Sequence, residues 1–407
     1  MGVRGKAMSG KEWSEAKRAH KRADYVIESQ LYQKMATEGD ARAQAYLGVM
    51  YDKGRGVAQN FGEALKWYRR AADAGEARAL CSVGSMYDRG RGVAQDYAEA
   101  MKWYRRAADL GDAHAQHNIA VMYDRGRGVR KDDFEAVKWY RMAAEQNFAR
   151  AQYNLGVMYD KGRGVAQDYS DAMKWFRKAA EQNHAKAQYN IGFLYEHGQG
   201  VQQNYHGALT WYRKAAEQGD AAAQTNIGSM YATGRGAPLD YVEAMKWYRQ
   251  AAGNGDAAAQ FNVGSLYATG RGVQMDQTAA LKWYLKAAQQ GDAVAQNHIG
   301  NMYATGQGVP KDYAEAMSWY AKAVERGDAS AQNNLGSMYA AGKAVSRDLV
   351  QAHKWYTLAA AHFAADEAAF RDKAVRNADT IAARMTPEQI AEAQRLAREW
   401  RANSTDA

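Results

Sequence analysis

The sequence contains very little cysteine and very little proline. Its 407 residues include one cysteine, Cys81, and three prolines. A single cysteine excludes a disulfide scaffold and a zinc site built from several cysteines. No stretch approaches the roughly 18 consecutive apolar residues of a transmembrane helix, so the sequence predicts no membrane span.

Residues 1–40 also lack the apolar core of a secretory signal peptide. The sequence as given therefore predicts a cytoplasmic protein, or a secreted or periplasmic one if a signal peptide has been trimmed. Apolar residues make up 47% and charged residues 24%, as in ordinary globular proteins, which excludes wholesale disorder. The net charge of +9 favours a partner with an acidic segment.

Tryptophan and glycine, by contrast, recur at a fixed interval of 36 residues. Nine of the 11 tryptophans keep this interval, and so does one series of nine glycines. They are Trp67, Trp103, Trp139, Trp175, Trp211, Trp247, Trp283, Trp319 and Trp355, and Gly54, Gly90, Gly126, Gly162, Gly198, Gly234, Gly270, Gly306 and Gly342. Nine repeats follow one another from 41–76 to 329–364 without an insertion. Such repeats bury their apolar faces only by stacking, which predicts one continuous array.

Each repeat predicts two antiparallel helices, which we call helix A and helix B. We number positions from the first residue of each repeat, so position 1 is residue 41, 77 and so on. In repeat 4, apolar residues of helix A recur from Ala151 to Tyr159 at helical spacing, and Gly162 ends the helix. Asp168 begins helix B, and Asp171 three residues later resembles a capping box. We expect the tryptophans and tyrosines of helix B to be the large buried residues.

The repeat pattern A-x-A-Q-x-x-L-G-x-M-Y-x-x-G-x-G-V-x-x-D-Y-x-x-A-x-x-W-Y-x-x-A-A resembles the Sel-one-like repeat (SLR) family, a relative of the tetratricopeptide repeat. The resemblance implies an all-α, right-handed α/α superhelical solenoid of nine 36-residue helix-turn-helix repeats with helical caps. It also implies an adaptor or scaffold role, and some bacterial members contact host factors. Three segments follow: an N-terminal helical cap with a degenerate half-repeat (1–40), the repeats (41–364) and a C-terminal helical cap (365–407).

Residues that vary among repeats are candidates for binding. Positions 2, 5, 6, 9, 12 and 13 of helix A fall in one arc, opposite the apolar positions, and we call this the free arc. In tetratricopeptide-like solenoids the first helices line the concave surface, so the resemblance implies that this arc faces the groove. Centred on repeats 4–7, the predicted contacts are aromatic anchors and amides that hold a peptide backbone: Tyr153, Tyr189, Phe193 and Phe261, with Asn154, Asn190, Asn226 and Asn262. The competing interpretation is that these asparagines tie neighbouring repeats together.

The charge of the arc is uneven along the chain. In repeats 1–4, positions 2, 13 and 15 carry eleven arginines and lysines, against four aspartates at position 12. In repeats 6–9 the same positions hold mostly alanine and threonine. We therefore expect an acidic partner segment to meet Arg78, Arg89, Arg125 and Lys161, although a charge run is commonly just a solvated face.

No catalytic, metal or cofactor site is predicted. The G-x-G loops recur in eight repeats, as helix stops do, whereas a phosphate loop would occur once after a strand. His114 and His117 are spaced to share a metal, but no third ligand converges on them. Ser14 and Lys17 match the S-x-x-K spacing of β-lactamases without its partner motifs, and the paired cysteines of SLR proteins linked to β-lactam binding are missing.

The sequence thus predicts a non-catalytic adaptor that binds a protein or peptide, in an oligomeric state that no feature specifies. The alternative is a nucleic-acid or polyanion binder, because arginine recurs at position 29 of six repeats: Arg69, Arg105, Arg141, Arg177, Arg213 and Arg249. Acidic residues are interspersed with the basic ones, which disfavours that alternative. A β-lactamase-like hydrolase is less favoured still.

Overall fold

A computed structural model describes residues 10–405, and within this range the chain is entirely helical, with 22 α-helices, one short 3-10 helix and no strand. The predicted all-α class is confirmed. The chain divides into two compact units, Met1–Gln203 and Asn204–Ala407. Within each unit, consecutive helices pack against one another as helix-turn-helix repeats, the α/α solenoid arrangement.

The first unit contains eleven helices among its described residues. They are α1 (Gly10–Lys21), α2 (Tyr25–Thr37), α3 (Ala41–Lys53), α4 (Phe61–Asp73), α5 (Ala77–Arg89), α6 (Tyr97–Asp109), α7 (Ala113–Arg125), α8 (Asp133–Glu145), α9 (Ala149–Lys161), α10 (Tyr169–Glu181) and α11 (Ala185–His197). From α3 to α19, the odd-numbered helices are the helices A of the nine repeats.

The second unit contains eleven further α-helices among its described residues. They are α12 (Tyr205–Glu217), α13 (Ala221–Thr233), α14 (Tyr241–Gly253), α15 (Ala257–Thr269), α16 (Gln277–Gln289), α17 (Ala293–Thr305), α18 (Tyr313–Glu325), α19 (Ala329–Ala341), α20 (Leu349–His362), α21 (Ala368–Ala382) and α22 (Pro387–Thr405). The 3-10 helix Ala365–Glu367 precedes α21.

The repeat sequence fixes both ends of helix A. In six of the nine repeats an aspartate before the helix accepts a hydrogen bond from the third helical amide, as Asp256 does from Ala259 N at 2.7 Å. The glycine at position 14 ends the helix in the left-handed conformation, with φ of +68° at Gly270. Because an L side chain is strained there, glycine recurs at this position.

Helix B begins at a capping residue, but the predicted capping box is only half formed. Asp96 accepts from Glu99 N at 2.9 Å, as expected. The Glu99 carboxylate does not return the bond, because Asp96 N donates to the carbonyl of Tyr87. Glu99 instead accepts from Lys102 Nζ and Trp103 Nε1, at 2.9 and 3.0 Å.

The central core residue of each repeat is the aromatic residue at position 28, one residue after the tryptophan. Tyr104, Tyr140, Phe176 and Tyr212 are at most 1% exposed. The tryptophans correct our expectation, because seven of the nine repeat tryptophans are only half-buried. A lysine or arginine side chain covers the ring of several, as Lys286 covers Trp283 with Nζ 4.0 Å from the centroid. Position 28, rather than position 27, therefore carries the central core residue.

Small residues at position 8 permit the close approach of helices A and B. A Cβ on Gly264 would lie 2.8 Å from the ring of Tyr284, and one on Gly156 would lie 2.6 Å from Phe176. Repeat 3 carries Ala120 here, and this residue is fully buried. Glycine or alanine at this position therefore leaves room for the aromatic residue of helix B.

The second glycine of the loop has a role that the sequence did not reveal. Gly92, at position 16, has a φ of +68° and faces the N-terminus of the preceding helix B. A Cβ there would lie 2.5 Å from the carbonyl oxygen of Phe61. Within each unit, this glycine lets the loop of one repeat pack directly on the backbone of the repeat before it.

Helices outside the repeats pack on both terminal repeats. Near the N-terminus, Tyr32 of α2 is buried at the place that position 28 occupies in a repeat. Near the C-terminus, Thr386 and Gln389 form a complete capping box at the start of α22, with bonds of 3.0 and 3.3 Å. Ala397 of α22 is buried against the core that contains Trp355.

Candidate functional site

The free arc of helix A lines a groove in repeats 1–3 of the first unit. The cavity measures about 470 Å³. It is lined by Arg42, Ala45, Tyr46, Val49, Tyr68, Glu76, Arg78, Ala79, Cys81, Ser82, Asp112 and His114. Eight of these residues occupy positions 2, 5, 6 and 9 of helices α3, α5 and α7. The arc thus faces a groove in repeats 1–3, and the partner contacts predicted in repeats 4–7 stay a prediction.

A second groove of about 400 Å³ adjoins the first and is bounded by α1, α2 and α3. The two grooves share Arg42, Tyr46 and Val49. Tyr46 stacks on Tyr32, with centroids 5.1 Å apart, and the Arg42 guanidinium lies 5.1 Å from the Trp13 ring centroid. Helix α1 therefore contributes aromatic surface to the same face.

In the first unit, the predicted aromatic anchors of repeats 4 and 5 are half-buried. Tyr153 stacks on His184, with centroids 4.7 Å apart, and also contacts Phe176. Phe193 stacks on His197 at 4.0 Å. Tyr189 is also half-buried and engaged with other groups. These rings contribute to packing and also present a partly exposed edge.

The predicted residues in the second unit have similar surroundings. Phe261 is half-buried, with its ring centroid 5.4 Å from Tyr284 and 5.2 Å from His298. Asn226 and Asn262 are half-buried on α13 and α15. Position 5 thus places its ring over the core residue of the same repeat.

Several position-6 amides bond to the preceding repeat. Asn154 lies 3.1 Å from His117 Nε2, and Asn118 Nδ2 lies 3.8 Å from Cys81 Sγ. Asn334 Nδ2 donates to Asn297 Oδ1 at 2.9 Å. At these three sites the amide joins position 6 to position 5 of the repeat before it, which favours the inter-repeat interpretation. Asn190 is half-buried at the same position of α11.

The four predicted basic contacts are all exposed, but they lie in different places. Arg78 lines the groove of repeats 1–3. Arg89 and Arg125 lie in the last turns of α5 and α7. Lys161 pairs with Asp160 at 3.0 Å, and a hydrogen bond to that carboxylate raises the pKa of Lys161. Of these four residues, only Arg78 therefore lines the groove of repeats 1–3.

The arginines that favoured nucleic acid are engaged between repeats. Arg105 donates to the Tyr123 hydroxyl at 2.9 Å, which joins helix B of one repeat to helix A of the next. We call each such contact an Arg–Tyr clamp. The six clamps are Arg69–Tyr87, Arg105–Tyr123, Arg141–Tyr159, Arg177–Tyr195, Arg213–Tyr231 and Arg249–Tyr267. The recurrence of arginine at position 29 therefore has a structural explanation.

Position 15 forms a second contact between repeats. Arg91 lies over the Phe61 ring at 5.4 Å, and Arg271 lies over Tyr241 at 5.4 Å. Where the preceding repeat carries Asp133 instead of an aromatic residue, Arg163 pairs with that carboxylate at 2.5 Å. Part of the positive charge counted along repeats 1–4 is thus used in packing.

A buried glutamine also connects repeats, and sequence reasoning assigned it no role. Gln152 Nε2 donates to the carbonyl of Ala144 in the preceding repeat at 3.1 Å. Gln182 Nε2 in turn donates to Gln152 Oε1 at 2.8 Å. The available signal was the recurrence of glutamine at position 4 of eight repeats.

The remaining side chains that could carry chemistry are either buried or bonded within their own helix. Burial lowers the pKa of His117 to about 4 and raises the pKa of the Cys81 thiol, so both are neutral near pH 7. The Ser14 hydroxyl donates to the Gly10 carbonyl at 2.7 Å within α1. Over residues 10–405, no group of three or more His, Cys, Asp or Glu side chains is placed to hold a metal.

No helix among the described residues combines the length and apolar character needed to cross a membrane.

Comparison with known proteins identifies the class of this repeat. The Sel1 repeat model matches nine segments: 41–76, 77–112, 113–148, 149–184, 185–220, 221–256, 257–292, 293–328 and 329–362. The chain belongs to the Sel1 repeat family.

Two solved structures illustrate the relationship. The chain is similar to c5321, a protective antigen present in uropathogenic Escherichia coli strains with an SLR fold, at 34% identity and a TM-score of 0.82. That match covers 96% of this chain and 83% of c5321. A Sel1 repeat protein from Oxalobacter formigenes is 40% identical over 62% of this chain and all of its own, with a TM-score of 0.56. A comparison with curated proteins gave no match.

Proposed function

We propose that the chain is a non-catalytic scaffold that binds a partner protein or peptide through the free arc of helix A. The observation that carries this proposal is the groove of about 470 Å³ along that arc. The residues that line it at positions 2, 5, 6 and 9 differ from repeat to repeat, whereas the core residues recur. Variation limited to one face is what a binding surface on a repeat scaffold requires.

The proposed contacts continue along the free arc of the first unit into repeats 4 and 5. There Tyr153, Tyr189 and Phe193 supply aromatic surface beside the amides of Asn154 and Asn190. Half-buried rings held by neighbours lose little freedom on binding, so they suit the role of anchors. Exposed Arg89, Arg125 and Lys161 would attract an acidic segment and act mainly on the association rate.

In the second unit, Asn226, Phe261 and Asn262 offer the same combination of ring and amide on α13 and α15. We propose them as partner contacts of that unit in its own right.

Double replacement of Tyr189 and Phe193 by alanine tests the proposal in repeat 5. Affinity capture from the source organism should lose its protein partner while the melting temperature changes little. Phe134→Ala is the matched control, because Phe134 is 76% exposed on helix B, outside the arc. Retained capture by a double variant with a much lower melting temperature would show that these rings are packing residues. Recovery of nucleic acid instead of protein would contradict the scaffold function itself.

A further inference from the structure

The groove of repeats 1–3 is present because position 5 is small in two repeats. In repeats 3, 4 and 7 a ring at position 5 lies beside the position-28 ring of the same repeat. The centroid distances are 5.7 Å for His117–Tyr140, 5.9 Å for Tyr153–Phe176 and 5.4 Å for Phe261–Tyr284. Repeats 1 and 2 carry Ala45 and Cys81 at position 5, and Tyr68 then lines the open groove.

The opening is bordered by apolar side chains that remain exposed. Tyr46 is 42% exposed and Val49 is 37% exposed on α3. Repeat 1 also departs from the usual asparagine at position 6 by carrying Tyr46, and repeat 2 carries Ser82 there. A partner side chain that enters this space would contact Tyr46, Val49 and the Tyr68 ring, in the place of the missing position-5 ring.

The charged groups around the opening favour an anionic neighbour for that side chain. Arg42 and Arg78 lie at position 2 of successive helices A and are exposed, with His114 at the same position of the next. Two carboxylates also line the groove. Asp112 accepts from Ala115 N at 2.8 Å as the cap of α7, and Glu76 precedes α5. Asp112 and Glu76 are both half-buried, whereas the two guanidinium groups are exposed and can reach a ligand.

Basic side chains also line the adjoining groove. Lys17, His20, Lys21 and Arg55 line it together with Glu28. Glu28 is only 5% exposed, and its carboxylate lies 3.1 Å from His20 Nδ1. A peptide that follows the two grooves would therefore meet arginine and lysine side chains on both sides of the apolar opening.

From this geometry we propose that the grooves of repeats 1–3 and α1 bind a peptide whose aromatic residue is flanked by aspartate or glutamate. The aromatic ring occupies the space beside Tyr68 that corresponds to the position-5 ring of repeats 3, 4 and 7. Arg42 and Arg78 hold the flanking carboxylates through charge-assisted hydrogen bonds. The proposal deepens the scaffold function and rests on it, because it assigns a partner chemistry to one part of the free arc.

Selection from a display library of random decapeptides on the full chain tests the proposal. Enriched peptides should share an aromatic residue next to acidic residues. Ala45→Tyr introduces the ring that repeats 4 and 5 carry, and it should weaken a selected peptide about thirtyfold, as for loss of a buried aromatic anchor. Ala45→Ser keeps the space open and should bind as the parent does.

A second variant keeps the test decisive if Ala45→Tyr fails to fold. Joint replacement of Arg42 and Arg78 by alanine should weaken the same peptide by about tenfold or more. Arg150→Ala is the control, because Arg150 occupies position 2 of repeat 4 outside the groove. Peptides without the acidic-aromatic pattern, or binding indifferent to both variants, would overturn this site.

The outcomes separate this inference from the scaffold function. Selected peptides that still bind both groove variants would overturn the groove site and leave the scaffold proposal intact. Concentration-dependent dimers that disappear in Ala45→Tyr would assign the groove to a second copy of the chain and overturn the peptide proposal. Failure of the capture experiment on native lysate, in contrast, counts against the scaffold function as a whole.

Discussion

Repeats 2 and 7 have equivalent core residues, but they differ on the free arc. Tyr104 and Tyr284 are both buried at position 28, each against a glycine on helix A. On the arc, repeat 2 carries Arg78, Cys81 and Ser82, whereas repeat 7 carries Ala258, Phe261 and Asn262. The difference shows that packing specifies one set of positions and leaves the other free to acquire binding chemistry.

The largest expected effect tests whether the two cores are equivalent. Tyr104→Ala and Tyr284→Ala should each lower the free energy of unfolding by about 3–5 kcal/mol, because each removes a fully buried aromatic ring. Urea denaturation of the two variants measures this quantity. Trp103→Ala and Trp283→Ala are controls with half-buried rings and should cost less. A cost at the tryptophans equal to that at the tyrosines would contradict the assignment of position 28 as the core.

An intermediate effect concerns His117, which fills position 5 in repeat 3. Burial lowers the pKa of His117 to about 4 in the folded protein, against about 6.5 in the unfolded chain. The unfolded state therefore binds the proton more readily, and stability falls as the pH falls from about 6.5 towards 4. The contribution lost by pH 5 should be about 2 kcal/mol.

Urea denaturation at pH 7 and pH 5 measures the effect of His117. The comparison variant is His117→Tyr, which carries the ring found at position 5 in repeats 4 and 5. The parent protein should lose about 2 kcal/mol more than this variant between the two pH values. An equal loss in both proteins would show that His117 is not buried in its neutral form.

Each Arg–Tyr clamp should make a smaller contribution to the free energy of unfolding. Arg105→Ala removes the bond to Tyr123 and should cost about 1 kcal/mol, the usual net value of one hydrogen bond. Lys102→Ala on the same helix breaks an exposed pair with Glu99 and should cost less than Arg105→Ala. Equal thermal stability of parent and Arg105→Ala would leave the recurrence of arginine at position 29 unexplained.

Much of the fold could be predicted because the repeat positions act locally. Gly162 ends a helix and Asp168 begins one through contacts within a few residues, so their spacing predicts α9 and α10. Position 15 was harder, because the role of Arg163 depends on Asp133 in the preceding repeat. Contacts of that kind appear in the sequence only when one repeat is compared with the next.

The predicted contact residues stay a prediction, but the same distinction explains why the groove of repeats 1–3 was not predicted. Helical spacing predicted the free arc. Its bulky side chains, such as Tyr153 and Phe261, led to the prediction of partner contacts in repeats 4–7. The groove is present where position 5 is small, at Ala45 and Cys81. The groove is formed by the residues around it, such as Tyr68, so it could be identified only from the packed structure.

A transplant of the arc tests the central claim most directly. Replacement of Arg78 by Ala, Cys81 by Phe and Ser82 by Asn gives repeat 2 the residues of repeat 7 at positions 2, 5 and 6 of the arc. We predict that the triple variant keeps the melting temperature of the parent and loses its protein partner in affinity capture. Unchanged capture by the folded variant, or a large fall in melting temperature, would contradict the separation of scaffold positions from binding positions.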